Sequence, residues 1–122
     1  MSLNYLEFDF SEDAQGMGTF DALAATAPAH NAAVLAEVAV VLAWAHDAFK
    51  ALRAPLDDGG EWDYDLQGWR EFSAVDGLHF DEHSGKLSIQ PQAAGAARHT
   101  VSLSITGTPG FCAAFRERFY TA

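Results

Sequence analysis

The sequence predicts an α+β fold, a two-layer sandwich in which a long helix and a short C-terminal helix pack on one face of a mainly antiparallel sheet. Three observations support this. Several short segments alternate apolar and polar residues, a long central stretch repeats its apolar residues with helical spacing, and the chain ends in a second helical pattern. Because 122 residues suffice for one core, we expect a single domain over residues 1–122.

The first strand is expected near the N-terminus. In residues 3–10 (LNYLEFDF), apolar side chains alternate with acids, which places Leu6, Phe8 and Phe10 on one face. Turn-forming residues follow in SEDAQGMG. Residues 19–27 fit either a returning hairpin strand or a short helix, and we favour the hairpin because the segment stops before a proline.

The long helix is expected over residues 29–53, which contain neither proline nor glycine. Its apolar residues recur with helical spacing at Val34, Leu35, Val38, Leu42, Ala45, Phe49 and Leu52. The following APLDDGG predicts the end of the helix.

On the opposite face of this helix, Val40 and Trp44 stand among charged residues. An apolar centre with a charged rim is typical of an interface, so we expect a homodimer that buries both.

The next strand is expected to begin at Trp62. The rings of Trp62 and Tyr64 alternate with the carboxylates of Asp63 and Asp65, so rings and acids lie on opposite faces of the strand. Gly68 then indicates a bulge or a turn. We expect the rings to build the core and the acids to face water or a partner.

A hairpin is expected over residues 78–89 (LHFDEHSGKLSI). Its polar turn sets Leu78 and Phe80 opposite Leu87 and Ile89. The alternating HTVSLSIT then predicts the last strand.

The C-terminal helix begins in the sequence with Thr108 and Pro109, a favourable cap and first residue. Its phenylalanines follow at four-residue spacing and form one apolar stripe. The expected core joins both helices to the sheet through Leu35, Val38, Leu42, Phe49, Trp62, Tyr64, Leu103, Ile105, Phe111 and Phe115.

The charge of the chain restricts its partners. The formal net charge is −10, and residues 57–82 hold nine of the seventeen acids against Arg70 as their one basic residue. The basic residues after position 86 are sparse. Because the acidic part would repel a phosphate backbone, we expect no binding to nucleic acid.

The location of the protein is inferred from what the sequence lacks. No apolar run approaches the length of a membrane span, so we expect no membrane association. The N-terminus has no basic stretch and no apolar signal core, so we expect a cytoplasmic protein.

Cys112 is the sole cysteine, which excludes an internal disulfide. It falls in the first turn of the last helix, where the helix dipole can lower a thiol pKa, although buried packing is the commoner role.

Two stretches approach a calcium loop without matching it. From Glu61, two aspartates fall on ligand positions, but Leu66 and Phe72 occupy the sixth and twelfth positions. A second near match runs from Ser11 and ends on Ala22. We therefore expect no metal and no cofactor.

A His/Asp patch is the best candidate for catalysis. HFDEH, residues 79–83, fits the H-x-x-E-H zinc pattern, but it lies in an expected hairpin and not on a helix. His79 and Asp81 share a strand face. Asp63 and Asp65 would lie beside them if the strands pair, giving a polar patch able to transfer protons.

The function we expect is that of a small acidic cytoplasmic interaction module, an inhibitor or an adaptor, without catalytic activity. Asp63 and Asp65 would dock a basic protein surface, because concentrated charge steers association and selects the sign of the partner. The alternative is a small-molecule or metal-dependent enzyme that uses the His/Asp patch. A deep pocket behind the polar sheet face would favour the enzyme, and a flat face would favour docking.

Overall fold

The computed structural model describes residues 3–120 and confirms the α+β class. Four strands form one antiparallel sheet in the order β1-β2-β6-β3, with α1 and α2 packed against it, and β4 and β5 form a separate two-stranded sheet. The elements are β1 (Asp9–Glu12), β2 (Gly18–Thr26), α1 (Pro28–Ala48), a 3-10 turn (Leu56–Asp58), β3 (Trp62–Glu71), β4 (Asp76–Asp81), β5 (Lys86–Pro91), β6 (Arg98–Gly107) and α2 (Pro109–Phe119).

Most predicted elements are confirmed. Residues 18–26 form the hairpin strand that we favoured over a helix, and β4 and β5 pair in the expected register. The cap of α2 is also as expected, since Thr108 Oγ1 accepts a hydrogen bond from the Phe111 N–H. The bulge expected at Gly68 is wrong, because this residue lies opposite Val101 within an unbroken ladder.

The register divides the four-stranded sheet into two faces. On the covered face, Phe20 lies opposite Ile105 and Ile105 lies opposite Tyr64, beneath the helices. The alternate residues point the other way and form what we call the outer face. It comprises Asp9, Ser11, Thr19, Asp21, Leu23, Ala25, Asp63, Asp65, Gln67, Trp69, Glu71, Arg98, Thr100, Ser102, Ser104 and Thr106.

Aromatic packing holds both helices on the covered face. The ring of Phe115 stacks on Phe20 with centroids 4.1 Å apart, and Phe111 lies parallel to Trp62 at 5.6 Å. The residues that the helices bury are Val34, Val38, Val41 and Ala45 of α1 and Phe111, Cys112, Phe115 and Phe119 of α2. One contiguous core therefore lies between the sheet and the helices.

Two facing glycines let α2 approach the sheet closely. Gly18 pairs with Gly107 in the β2–β6 ladder. A Cβ atom on Gly107 would overlap the ring of Phe111, and one on Gly18 would overlap Phe10 and the sulfur of Cys112. The absence of side chains at this pair thus sets the distance between α2 and the sheet.

A carboxylate holds the N-terminal segment in place of a strand. The backbone N–H groups of Asn4, Tyr5 and Leu6 donate to the Glu37 carboxylate on α1, at 2.8 to 3.2 Å. Hydrogen bonds to a charged acceptor are stronger than neutral ones. The expected strand from residue 3 therefore begins at Asp9, although Leu6 is buried as its alternation predicted.

The end of α1 and part of the expected core are corrected. The helix ends at Ala48, and Ala51 takes a positive φ of 59°, so the chain turns before residue 53. Leu35 and Leu52, both expected to face the core, are exposed. The buried face of α1 runs through its valines and Ala45, and Leu35 lies one position, about 100° of rotation, away from it. The other expected core residues are buried or pack partly buried against the core.

The apolar character of α1 exceeds what the sequence analysis expected. The helix has 21 residues, and its most apolar window of 18 residues has a mean hydropathy of 1.4. By length and composition alone it is apolar enough to cross a membrane, and the expectation of no membrane association stays a prediction. Many alanines among the valines raise the mean. In the structure, 22% of that window is buried inside the protein.

Truncation of the α2 stripe tests the core. Phe115→Ala removes a fully buried ring that contacts Phe20, and we expect it to lower the free energy of unfolding by about 3–5 kcal/mol. Phe72→Ala is the matched control, because that ring is exposed, and it should cost less than about 1 kcal/mol. Urea denaturation measures both. Equal losses in the two variants would contradict the observed packing.

Candidate functional site: an acidic outer sheet face

The outer face of the sheet is covered by neither helix and carries a row of acids. Asp9 lies opposite Asp21, Asp21 opposite Ser104, and Ser104 opposite Asp65. We call the three aspartates the acidic row. Neighbouring strands lie about 4.8 Å apart, so the carboxylates of Asp9 and Asp21 are direct neighbours on one face. Like charges in such a pair oppose folding.

The acidic row forms no ion pair within the described chain. Within residues 3–120, the recorded ion pairs join Lys50 to Asp47 and Arg53 to Asp63. Arg116 lies 3.7 Å from the centroid of the Phe10 ring. Arg98, near the end of β6 on the outer face, donates to the Ala25 carbonyl. No member of the row is therefore held in an ion pair within residues 3–120.

The two aspartates predicted as a docking pair differ in their surroundings. Both lie on the outer face, opposite the rings of β3. Asp63 Oδ1 accepts a hydrogen bond from Arg53 Nη1 at 2.9 Å and another from the Tyr64 N–H. Asp65 Oδ2 accepts one from the neutral Gln67 amide at 2.9 Å. The charge of Asp63 is therefore partly neutralised within the chain, whereas that of Asp65 is available to a partner.

Exposed apolar side chains stand among the acids of the outer face. Leu23 and Trp69 are 65% and 45% exposed. An open hollow of about 410 Å³ beside Leu23 is lined by Glu7, Asp9, Asp21, Ala22, Leu23 and Ser102. Apolar side chains among charged ones are the usual composition of a protein interface, and tryptophan is enriched among residues that dominate binding.

Asp9 and Asp21 were not predicted as site residues. The alternation in the first strand did place Asp9 away from the apolar face, but nothing in the sequence paired it with another acid. Asp21 lies in the segment for which strand and helix both remained open. Their juxtaposition follows from the register of β1 on β2, which the sequence does not specify.

The predicted His/Asp patch is not assembled. His79 and Asp81 lie on β4, which pairs with β5 and not with β3, so the acids of β3 do not join them in one sheet. Asp81 Oδ1 accepts the N–H groups of His83 and Ser84 at 2.8 and 3.3 Å and thereby shapes the hairpin turn. In the part of the chain that the structure describes, no group of three or more His, Cys, Asp or Glu side chains is placed to hold a metal ion.

The position predicted for Trp44 on an outer helix face is wrong. Its ring packs edge-on against Phe115 and Phe119, with centroids 5.9 and 5.4 Å away. The aromatic side chains of α2 contact the face of α1 that carries Trp44 and partly bury its indole. Val40 remains exposed. The homodimer itself stays a prediction, and Trp44 is no longer a free centre for it.

Burial sets the chemistry of Cys112. The side chain is buried, and burial raises the pKa of the thiol, while a smaller opposing effect comes from a hydrogen bond with the backbone of Gly18. The hypothesis that the helix dipole lowers this pKa is therefore wrong. Desolvation of the thiolate by burial is the largest cause of the shift.

Alkylation tests the state of this thiol. Because the folded pKa is raised, the thiolate fraction at pH 8 is smaller in the folded than in the unfolded chain. We expect iodoacetamide to modify native Cys112 far more slowly than a free cysteine, and full reactivity to return in urea. Mass spectrometry measures both rates. A native rate equal to the unfolded rate would contradict the observed burial.

Removal of one acid tests the repulsion within the row. Asp21→Asn should raise the free energy of unfolding by about 0.2–1 kcal/mol at low salt, because it removes a like-charge cross-strand pair. The gain should shrink in about 0.5 M salt, which screens the charges. Asp47→Asn is the control, since that carboxylate pairs with Lys50 and should give no gain. A loss of stability in Asp21→Asn at low salt would show that the row is already compensated.

Compared with known proteins, the chain matches no protein-family model, no curated protein and no solved structure.

Proposed function

We propose that the protein is a small acidic cytoplasmic interaction module, an inhibitor or an adaptor, that binds a basic surface of another protein through its outer sheet face. The observation that carries the proposal is the acidic row, which crosses the uncovered face of the sheet and forms no ion pair within the described chain. In this reading the protein performs no catalytic step of its own.

The electrostatics of the row favour a cationic partner. In the free protein Asp9 and Asp21 repel each other, and this cost falls when lysine or arginine side chains approach both carboxylates. A field of one sign also raises the association rate with a basic partner and disfavours an acidic one. The acidic row thus raises the association rate with a basic partner and selects against acidic ones.

Short-range contacts are available on the same face. Leu23 and Trp69 offer apolar area, and the hydroxyl residues of β6 offer small hydrogen-bonding groups between them: Thr100, Ser102, Ser104 and Thr106. The hollow on this face is open to solvent and contains no assembled catalytic group. These features favour docking of a protein surface over enclosure of a small substrate.

The enzyme alternative has no such support. Its residues His79 and Asp81 lie on the separate hairpin, and the Asp81 carboxylate is engaged in the turn. No observation within residues 3–120 gathers a nucleophile, a base and a pocket at one place. We therefore derive no reaction step from this structure.

The proposal is tested by neutralising the row. Asp9→Asn/Asp21→Asn/Asp65→Asn should fold as well as the wild type, because exposed charges contribute little to stability. The variant should lose those basic proteins that the wild type captures from its native lysate at low salt. Affinity capture and mass spectrometry at low and high salt measure this loss.

A control of equal net charge removes the general effect of acidity. Asp47→Asn/Asp57→Asn/Asp58→Asn takes the same three charges from exposed positions outside the outer face. It should retain the partners that the row variant loses. If both variants retain them, or both lose them equally, the acidic row is only a solvated strand face and the proposal fails.

A further inference from the structure

We propose that the hairpin of β4 and β5 is a self-association arm, whose apolar face binds the same face on a second copy of this chain. The inference rests on the two-stranded sheet and not on the outer face, so it stands apart from the proposed function. It moves the expected homodimer contact from the Val40 and Trp44 face of α1 to the hairpin.

One face of the hairpin carries four apolar side chains, with Asp76 opposite Pro91 at its base. Leu78 lies opposite Ile89 and Phe80 opposite Leu87. These four side chains are 55 to 65% exposed, so they cover one another only in part and touch little else. The alternate positions carry polar residues, among them the facing pair His79 and Ser88. The pattern is that of a strand pair with one side meant for burial.

The rest of the described chain gives the hairpin little support. Every hydrogen bond recorded for residues 76–91 is internal to them, including those from the backbone N–H groups of His83, Ser84 and Gly85 to Asp81. An isolated two-stranded hairpin is at best marginally stable in water and needs further strands or a packing surface. Contact with a second hairpin supplies that surface.

The available area suits a small dimer interface. From their exposed fractions, the four side chains present on the order of 500 Å² of surface per copy, within the range of the largest patch on a typical monomer. Two such faces bury about 1,000 Å² together, close to the lower limit for a specific interface. An aromatic residue at the centre, Phe80, is the kind of side chain that dominates such contacts. The expected dimer is therefore weak and specific.

The net charge of −10 does not prevent two copies of the chain from associating through the hairpin, because of where the charges lie. The four apolar side chains carry no charge, and at the hairpin tip Asp81 lies opposite Lys86. A strand of six residues spans about 20 Å, so two hairpins stacked in opposite directions hold the acidic sheets at opposite ends. That separation exceeds the Debye length of about 8 Å at physiological salt. A basic partner, by contrast, gains no ion pair from these four side chains.

The outer face of α1 is the competing dimer surface. Val40 is 36% exposed there, and its exposed neighbours on the helix include Ala36, Ala39 and Ala43. Alanines offer far less apolar area than the leucines, isoleucine and phenylalanine of the hairpin. The area comparison therefore favours the hairpin as the contact.

The test compares the oligomeric state of the full chain and three variants by sedimentation velocity from about 1 to 100 μM. Wild type should show a monomer–dimer equilibrium. Phe80→Ser/Leu87→Ser should raise the dissociation constant at least tenfold. His79→Ser/Gln90→Ser is the matched control on the polar side of the same hairpin and should leave the constant unchanged, as should Val40→Glu on α1.

A second measurement needs no variant and guards against loss of the hairpin fold. Backbone amides of residues 76–91 in the wild type should exchange with deuterium more slowly at about 100 μM, where the dimer is expected, than at about 1 μM, where the monomer is expected. A wild type that stays monomeric at 100 μM overturns the proposal. The proposal is also overturned if Val40→Glu dissociates the dimer and Phe80→Ser/Leu87→Ser does not. Equal deuterium exchange of the hairpin amides at about 1 and 100 μM would overturn it as well.

Discussion

Packing of the α2 phenylalanines against Phe20 and Trp62 is the interaction on which the rest of the structure depends. It places α2 on the covered face of the sheet and, through Trp44, holds α1 beside it. Gly18 and Gly107 make this close approach possible because neither carries a side chain. With both helices on one side, the other side of the same four strands stays open, and the acids alternating with the core residues become a single exposed surface.

The part of the fold that follows from local pattern was predictable. Period-two alternation identified β3 and β6, the helical spacing identified α1 and α2, and Thr108 marked the start of the last helix. The predictions that failed depended on contacts between residues far apart in the sequence. Trp44 lies on a helix face that α2 covers, and the N-terminal strand is shortened because Glu37 accepts hydrogen bonds from its backbone N–H groups. A single sequence does not state such pairings.

The candidate site shows the same division. Alternation alone placed Asp63 and Asp65 opposite the rings, but the ion pair between Arg53 and Asp63 joins residues ten apart across an irregular segment and was not visible in the sequence. The acidic row needs the β1–β2, β2–β6 and β3–β6 registers together. Conversely, the expected His/Asp patch assumed that β4 pairs with β3. Since β6 occupies one edge of β3 and the hairpin closes on itself, that patch does not form.

We propose that the outer face, and not the acidity of the chain in general, recognises a cationic surface. The most direct measurement is an NMR titration of the wild-type protein with a lysine-rich peptide. The account predicts chemical-shift changes at Asp9, Asp21, Ser104 and Asp65, which reverse at high salt because screening weakens charge contacts. Shifts of equal size at the exposed acids of the 3-10 turn, residues 56–58, or none on the outer face, would contradict it.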